Sequence, residues 1–88
     1  MQQFTEPKKF FHAIYDGGAA VLQSENLRIE VTKKREPKLS AKLFKVDYMA
    51  LINGRWQKFS TFVSPNPQEI VNDALYEMQC YGCCFVTN

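Results

Sequence analysis

Two runs of alternating apolar and polar residues meet at Asn53-Gly54, and this junction constrains the fold more than any other part of the chain. A type I′ turn needs two successive residues with positive φ. Asn-Gly supplies both, so the pair predicts a β-hairpin. A two-residue turn also determines the register. The predicted cross-strand pairs are Ile52 with Arg55, Leu51 with Trp56, and Tyr48 with Phe59.

This register divides the hairpin between two faces of a sheet. One face is predicted to form the core, and its residues are Phe44, Val46, Tyr48, Ala50, Ile52, Phe59, Thr61 and Val63. The other face mixes large apolar groups with charge, and its residues are Lys45, Asp47, Met49, Leu51, Trp56, Lys58, Ser60 and Phe62. Contact with solvent does not explain several large apolar side chains on one face, so we take the second face as the candidate binding surface. The competing interpretation is that the N-terminal segment or a helix covers it.

Other strands follow from the same alternation. Residues 27–33 alternate as a half-buried antiparallel strand does, and the hairpin predicts strands near 42–52 and 55–63. Pro37 lacks an N–H group and lies in a run of charges, which predicts a loop over residues 34–38.

The N-terminal third allows two interpretations. Residues 1–8 are mostly polar and predict a loose start, and strands are predicted near 9–15 and 19–23. The alternative to the first strand is a helix from Glu6 to Asp16, capped by Thr5. We favour the strand because Lys8 and Lys9 would oppose the dipole at the start of such a helix.

A helix is predicted near 67–81. Asn66 is a favourable N-cap, Pro67 suits the first helical position, and Glu69 completes a capping-box pattern. One apolar stripe recurs at helical spacing and should pack on the sheet; its members are Ile70, Val71, Ala74, Leu75 and Met78. Gly82 would end the helix, and residues 83–87 form a short apolar tail that could add an edge strand.

Together these elements predict an α+β fold: one domain over residues 1–88, with an antiparallel β-sheet (a meander plus the long hairpin) and one C-terminal helix packed on it. A chain of 88 residues has room for one small core. An apolar content of 45% excludes an intrinsically disordered chain.

The net charge of +2 hides an uneven distribution. Residues 27–63 carry nine basic and three acidic side chains, residues 64–88 carry three acidic and no basic ones, and residues 1–26 carry two basic and three acidic ones. A basic middle segment favours an acidic partner, either phosphate or an acidic protein surface, although it also serves solubility.

No pattern in the chain predicts catalysis, a cofactor or a metal. Cys80, Cys83 and Cys84 lack a convincing fourth zinc ligand, because only His12 could join them, and they follow a helix rather than begin one. His12 has no nucleophile or paired carboxylate in a recognisable motif. The absence of an apolar leader and of an apolar run of 18 residues predicts a cytoplasmic protein with reduced thiols.

Two binding functions remain. In the favoured hypothesis the chain binds a host protein with an acidic surface through a central anchor of Trp56, Met49 and Leu51, framed by Lys45, Lys58 and Arg55. In the alternative it binds single-stranded nucleic acid, with Lys34, Arg35 and Lys38 contacting phosphates beside an aromatic sheet face. Domains dedicated to nucleic acid are usually more basic than +2, which favours the first hypothesis.

Three short segments resemble small phage-encoded anti-CRISPR proteins. They are Tyr15-Asp16-Gly17, then Ser24-Glu25-Asn26 entering a strand, and Ala74-Leu75 with Glu77-Met78. The resemblance covers under a quarter of the chain. Members that bind the HNH nuclease domain of a CRISPR effector are of similar length and are α+β. The resemblance implies a class, a small cytoplasmic inhibitor that works by binding, and carries over no individual functional residue.

Overall fold

The structure is a computed structural model that describes residues 2–16, 19–36 and 41–80. Among these residues it has five strands and two helices. In chain order they are β1 (Gln2–Phe4), α1 (Pro7–Tyr15), β2 (Ala20–Gln23), β3 (Leu27–Glu36), β4 (Ala41–Ile52), β5 (Arg55–Ser64) and α2 (Pro67–Cys80). The α+β class is confirmed; the predicted ending at Gly82 and the apolar tail lie outside the described residues.

The five strands form one sheet in the order β1-β2-β3-β4-β5. The pairs from β2 to β5 are antiparallel, as the meander and the hairpin predict. β1 pairs with β2 in parallel, so the prediction of a wholly antiparallel sheet is wrong. A parallel pair needs a crossover between its strands, and α1 is that crossover. The sequence segment predicted as a loose start therefore contains a strand.

The strand predicted near 9–15 is wrong, because the structure has α1 there. Pro7 occupies the start of the helix, Glu6 is the N-cap residue, and no side-chain bond from Thr5 caps the helix. Phe10 and Ile14, one helical turn apart, are both fully buried. The carboxylate of Glu6 lies 3.6 Å from the Lys9 ammonium and supplies negative charge at the helix start. This charge offsets the dipole penalty on which the strand prediction depended.

β3 and β4 are longer than predicted. β3 continues to Glu36 and β4 begins at Ala41, and the two pair over their whole common length. Lys34 and Arg35 therefore lie in a strand and not in the predicted loop. Alternation alone did not reveal this extension, since Lys33, Lys34 and Arg35 are all polar; cross-strand pairing with β4 extends β3 through them.

The Asn53-Gly54 turn forms as predicted, with φ of 52° at Asn53 and 77° at Gly54. Ile52 lies opposite Arg55 and Leu51 opposite Trp56, but the register shifts between Tyr48 and Met49. Tyr48 lies opposite Ser60, so the predicted pairing with Phe59 is wrong. Phe59 is the extra residue of a β-bulge on β5.

The bulge reverses the faces of the residues beyond it, because side chains alternate with a period of two. Phe62 lies opposite Val46 and packs against the core, and Ser64 lies opposite Phe44 and is buried. Thr61 and Val63, predicted to face the core, lie opposite Asp47 and Lys45 on the other face. The predicted places of Ser60 and Phe62 on the mixed face are wrong for the same reason.

Both helices pack on the same side of the sheet. The core joins Phe10 and Ile14 of α1 and residues of α2 to one face of the strands. The fully buried strand residues are Ala20, Leu22, Leu27, Ile29, Val31, Val46 and Tyr48. In α2 the predicted stripe is confirmed at Ile70, Val71, Ala74 and Met78, whereas Leu75 is 38% exposed and is not a core residue. Leu75 therefore lies at the margin of the stripe.

The start of α2 is capped by two side chains. Asn66 is confirmed as the cap, because its Oδ1 accepts a hydrogen bond from the Gln68 N–H at 2.9 Å. Glu69 does not close a capping box; its carboxylate accepts a bond from the Ser64 hydroxyl at 2.5 Å. The Asn66 N–H donates to Ser64 Oγ at 3.1 Å. Buried Ser64 thus links the end of β5 to the helix.

Candidate protein-binding surface

The outer face of the sheet is the side opposite α1 and α2, and it carries the candidate binding surface. Cross-strand partners share a face, so the register defines its members. On the hairpin they are Leu43, Lys45, Asp47, Met49, Leu51, Trp56, Lys58, Thr61 and Val63, and on the adjoining strands they include Val21, Gln23, Arg28, Glu30, Thr32 and Lys34. Neither described helix covers this face, which argues against the interpretation that a helix buries its apolar residues.

The predicted anchor residues come together at one end of the outer face. Leu51 and Trp56 are direct cross-strand partners, and Met49 lies in the next outer-face row, opposite Lys58. Leu51 is 42% exposed, and Met49 and Trp56 are half-buried. The Leu51 N–H donates to the Asn26 carbonyl at 3.2 Å, which holds the hairpin against the turn between β2 and β3. The anchor therefore lies on a backbone held by the sheet.

Beside the anchor, the charges on the outer face are arranged in pairs. Lys58 Nζ lies 3.9 Å from Asp47 Oδ1, and the Thr61 hydroxyl donates to the same oxygen at 2.8 Å. On the neighbouring strand Arg28 Nε donates to Glu30 Oε2 at 2.6 Å. Because these carboxylates lie beside cations, the positive potential of the outer face is much lower than its number of lysines and arginines indicates.

Arg28 belongs to a small polar network on the outer face of the sheet. Its guanidinium also donates to Gln23 Oε1. Val21 lies on this face, paired with Glu30, and is only 3% exposed although it is outside the core cluster. The β2 side of the outer face thus combines a buried Val21 with polar neighbours, whereas the hairpin side exposes Leu51 and Val63.

The predicted basic residues are dispersed. Lys45 lies on the outer face opposite Val63, and Lys34 lies there opposite Leu43 at the far end of β3. Arg55 lies opposite Ile52 and so faces the helix side, which means that it does not frame the anchor as predicted. Arg35 is in β3, with its side chain outside the description, and Lys38 lies outside the described residues.

Sequence reasoning missed Thr61 and Val63 on this surface, and Val63 is 47% exposed. A signal for the bulge was present. Phe59 and Phe62 are three positions apart, and a regular strand cannot direct both to one side. With the bulge, the Phe59 ring lies 6.2 Å from that of Tyr48 on the helix side, and Phe62 packs on the core.

The titratable residues with shifted pKa values are on the helix side. The buried Tyr48 hydroxyl donates to Asp73 Oδ2 at 2.7 Å. Burial of the Tyr48 side chain raises its pKa well above the ordinary range. The bond to Asp73 and the negative charges of Asp73 and Glu77 raise the pKa further. The pKa of Glu77 is also raised, first by its partial burial and to a smaller extent by the charge of Asp73. The Tyr48–Asp73 bond joins β4 to α2, and these groups do not place a nucleophile beside a base as a catalytic site would.

A groove of about 600 Å³ lies between β1 and α1. Phe4 and Ala13 are among its apolar lining residues, and Lys8, Lys9 and His12 are among its polar ones. His12 is exposed, and its Nδ1 lies 3.9 Å from Asp16 Oδ2. Among the residues that the structure describes, this lining has no cysteine, serine or second carboxylate to accompany His12 and Asp16.

Within residues 2–16, 19–36 and 41–80 the structure has no group of three histidine, cysteine or acidic side chains that could hold a metal ion. Cys80 is exposed at the end of α2, and Cys83 and Cys84 lie outside the described residues. Neither helix in the described part of the chain has the length and apolar character needed to cross a membrane.

Comparison of the chain with protein-family models, curated proteins and solved structures finds no match. The resemblance to anti-CRISPR proteins therefore stays a prediction.

Proposed function

We propose that this chain is a small protein-binding module, which uses the outer face of its sheet and has no catalytic role of its own. The observation that carries the proposal is the partly exposed apolar cluster of Trp56, Leu51 and Met49 on the sheet face opposite both described helices. Trp and Met are enriched at the centres of protein interfaces, where a ring of polar residues excludes water. Lys45, Lys58 and Asp47 would form such a ring.

The size and rigidity of the surface support protein binding. An interface of standard size buries about 800 Å² on each partner, and a sheet face on a domain of this length can supply that area. The anchor lies on paired strands, so little conformational entropy is lost when a partner binds.

The distribution of charge favours a protein over single-stranded nucleic acid. A groove for nucleic acid needs several cations free to neutralise phosphates along the strand. Here Arg28 and Lys58 each lie beside a carboxylate, and Lys34 and Lys45 are on different rows of the face. A protein partner with mixed polar and apolar groups matches this pattern better.

The biological role that we propose is inhibition by occlusion. A compact module that covers the active surface of a larger protein needs no chemistry of its own, and a host defence nuclease is the target that the anti-CRISPR resemblance implies. A chain with net charge +2 does not imitate DNA, so the inhibitor would cover the nuclease surface directly.

The test is a pull-down from lysate of the source cells, with wild-type protein and the Trp56→Ala variant. We expect one dominant protein to be captured by the wild type and lost with Trp56→Ala, because truncating a central anchor costs about 2 kcal/mol or more of binding energy. Tyr76→Ala is the matched control, since Tyr76 is an exposed aromatic on α2, on the helix side of the sheet. Equal capture by wild type and Trp56→Ala would contradict the proposal.

A salt titration with single-stranded oligonucleotides tests the alternative function, which is nucleic-acid binding. If the basic residues bind phosphates, the logarithm of the binding constant would fall with the logarithm of the salt concentration, with a slope of about −0.7 per phosphate neutralised. Replacing Lys34, Arg35 and Lys38 by Ala would reduce that slope by up to about two units. We expect weak, unsaturable binding instead. Saturable binding with the steep slope would replace the protein hypothesis by the nucleic-acid one.

A further inference from the structure

The groove between β1 and α1 lies apart from the proposed protein-binding surface. Gln2 and Phe4 of β1 pair with Ala20 and Leu22, which belong to the core, so both side chains are on the helix side of the sheet. β1 is at one margin of the sheet, and the hairpin that carries the anchor is at the other. A ligand in this groove would therefore not cover the outer face.

The groove has the size and the lining of a site for a small ligand. Its volume is about 600 Å³, and pockets that hold small molecules have volumes of about 300–1,000 Å³. Phe4 and Ala13 are half-buried, pack against the core and supply apolar lining. Lysine side chains can extend such a surface with their aliphatic stems while their ammonium groups stay in water. The groove can therefore hold an apolar group, with charged groups close to it.

The charges around the groove favour an anion. Lys8, Lys9 and His12 line it together with one acid, Asp16. The carboxylate of Glu6 lies 3.6 Å from Lys9 Nζ, and that of Asp16 lies 3.9 Å from His12 Nδ1. Among the residues that the structure describes, Lys8 is the one basic lining residue without an ion-pair partner. A single available ammonium group matches one carboxylate better than it matches a polyphosphate.

Lys8 and His12 also line a second, smaller cavity of about 290 Å³. They are four positions apart and therefore lie on the same side of α1, one turn above the other. Phe11 and Tyr15 complete the lining of the smaller cavity. Aromatic or aliphatic surface thus lies on both sides of two adjacent polar groups. This arrangement matches an amphiphile with an anionic head at Lys8 and an apolar chain beside it.

We propose that the groove between β1 and α1 binds a small amphipathic anion, namely a monomeric carboxylate with an unbranched alkyl chain. The carboxylate accepts a charge-assisted hydrogen bond from Lys8 Nζ, and the chain lies against Phe4 and Ala13. This activity goes beyond the proposed protein binding. Because the groove and the outer face have no residue in common, each binding function can be lost without the other.

The test titrates decanoate into the isotopically labelled full chain, below the concentration at which decanoate forms micelles, and follows the amides by NMR. Decyltrimethylammonium, which has the same chain length and a cationic head, is the control ligand. We expect decanoate to shift the amides of Phe4, Lys8 and Ala13 and to bind about tenfold more tightly than the control ligand. Shifts that do not saturate, or that concentrate at Trp56, would overturn the proposal.

Lys8→Glu and Arg55→Glu form a matched pair of variants. Each reverses one exposed positive charge, and Arg55 lies on β5, at the opposite margin of the sheet. Lys8→Glu should weaken decanoate binding by about tenfold and make the cationic ligand the stronger binder, whereas Arg55→Glu should change the affinity by less than about twofold. A glutamate in the first turn of a helix is favourable, so Lys8→Glu should fold. Equal losses in the two variants would assign the effect to net charge and overturn the proposal.

The Ala13→Leu variant tests the apolar part of the site. Leucine is a strong helix former, and its larger side chain would occupy part of the groove. We expect decanoate binding to be lost while circular dichroism shows the helix content of the wild type. Binding equal to that of the wild type would show that the alkyl chain does not lie against residue 13, and the proposal would fail.

Two further results would identify a different occupant and overturn the proposal. Nuclear Overhauser contacts between Met1, which lies outside the described residues, and the Phe4 ring in the free protein would show that the chain itself fills the groove. Flotation with phosphatidylglycerol vesicles that is lost with Lys8→Glu, without binding of monomeric decanoate, would assign Lys8 to a membrane surface.

Discussion

At the scale of single residues, Tyr48 makes a buried polar contact between the sheet and α2. Its ring is fully buried, and its hydroxyl reaches the Asp73 carboxylate at 2.7 Å. We expect Tyr48→Phe to lower the free energy of unfolding by about 1–2 kcal/mol, because the ring still fills its space while a bond to a charged group is lost. Urea denaturation measures this. Tyr76→Phe on the exposed side of α2 is the control, and an equal loss there would contradict the role given to Tyr48.

The raised pKa of Tyr48 predicts a loss of stability in alkali. The unfolded tyrosine releases its proton near pH 10, whereas the folded one keeps it because burial and the neighbouring carboxylates oppose a further negative charge. The contribution of Tyr48 is therefore present below about pH 10 and falls above it, by up to about 1.4 kcal/mol per pH unit. Urea denaturation between about pH 9 and pH 11 should show the gap between wild type and Tyr48→Phe narrowing. A gap that stays constant would show that Tyr48 ionises normally in the folded chain.

Gly54 is required for its backbone conformation. Its φ is 77°, and an added Cβ would meet nothing within 4 Å. Gly54→Ala should therefore cost about 1–2 kcal/mol through left-handed backbone strain without any steric clash. Thermal unfolding measures the loss, and Asn53→Gly, which is free to adopt the same turn, should change stability little. A neutral Gly54→Ala would show that the turn relaxes to another type.

At the scale of elements, α2 has a narrower core stripe than its sequence indicates. Ile70 is fully buried and Leu75 is 38% exposed, although both are apolar and belong to the same predicted stripe. Ile70→Ala should cost about 2–5 kcal/mol through the cavity that it leaves. Leu75→Ala should cost about 1 kcal/mol, since solvent and neighbouring side chains fill its place. Chemical denaturation of the two variants compares them directly, and equal costs would place Leu75 in the core.

The bulge in β5 also determines which side chains lie on the outer face of the sheet. One extra residue directs Phe62 and Ser64 to the helix side and Thr61 and Val63 to the outer face. The reason is energetic: without the extra residue Phe62 would face solvent, and burial of a phenylalanine side chain contributes about 2 kcal/mol. The bulge therefore determines the composition of the outer face.

At the scale of the whole molecule, stability should be concentrated in the centre of the sheet. β3 and β4 pair over ten residues and carry most of the buried strand residues, whereas β1 is three residues long and lies at the margin. Native-state hydrogen exchange should show Ile29 and Tyr48 amides exchanging only by global unfolding, and the Gln3 amide by local opening. Protection of Gln3 equal to that of Ile29 would mean that β1 and the centre unfold as one unit.

The sequence by itself determined the features that depend on neighbours in the chain. Asn53-Gly54 determined the hairpin and its first pairs, the alternation of 27–33 determined β3, and Asn66-Pro67 determined the start of α2. In each case the turn, pleat or cap is local, so a few residues carry the whole signal. The same locality placed Met49, Leu51 and Trp56 on one face correctly.

Only the tertiary structure decided which of two locally acceptable states each remaining segment adopts. Residues 9–15 are compatible with a strand or a helix, and they form α1 because Phe10 and Ile14 then enter a core completed by distant strands. The bulge at Phe59 likewise depends on the core that receives Phe62, and the exposure of Leu75 depends on how α2 packs on that core. These outcomes depend on packing between residues far apart in the chain, and the burial energy of such contacts outweighs local preference.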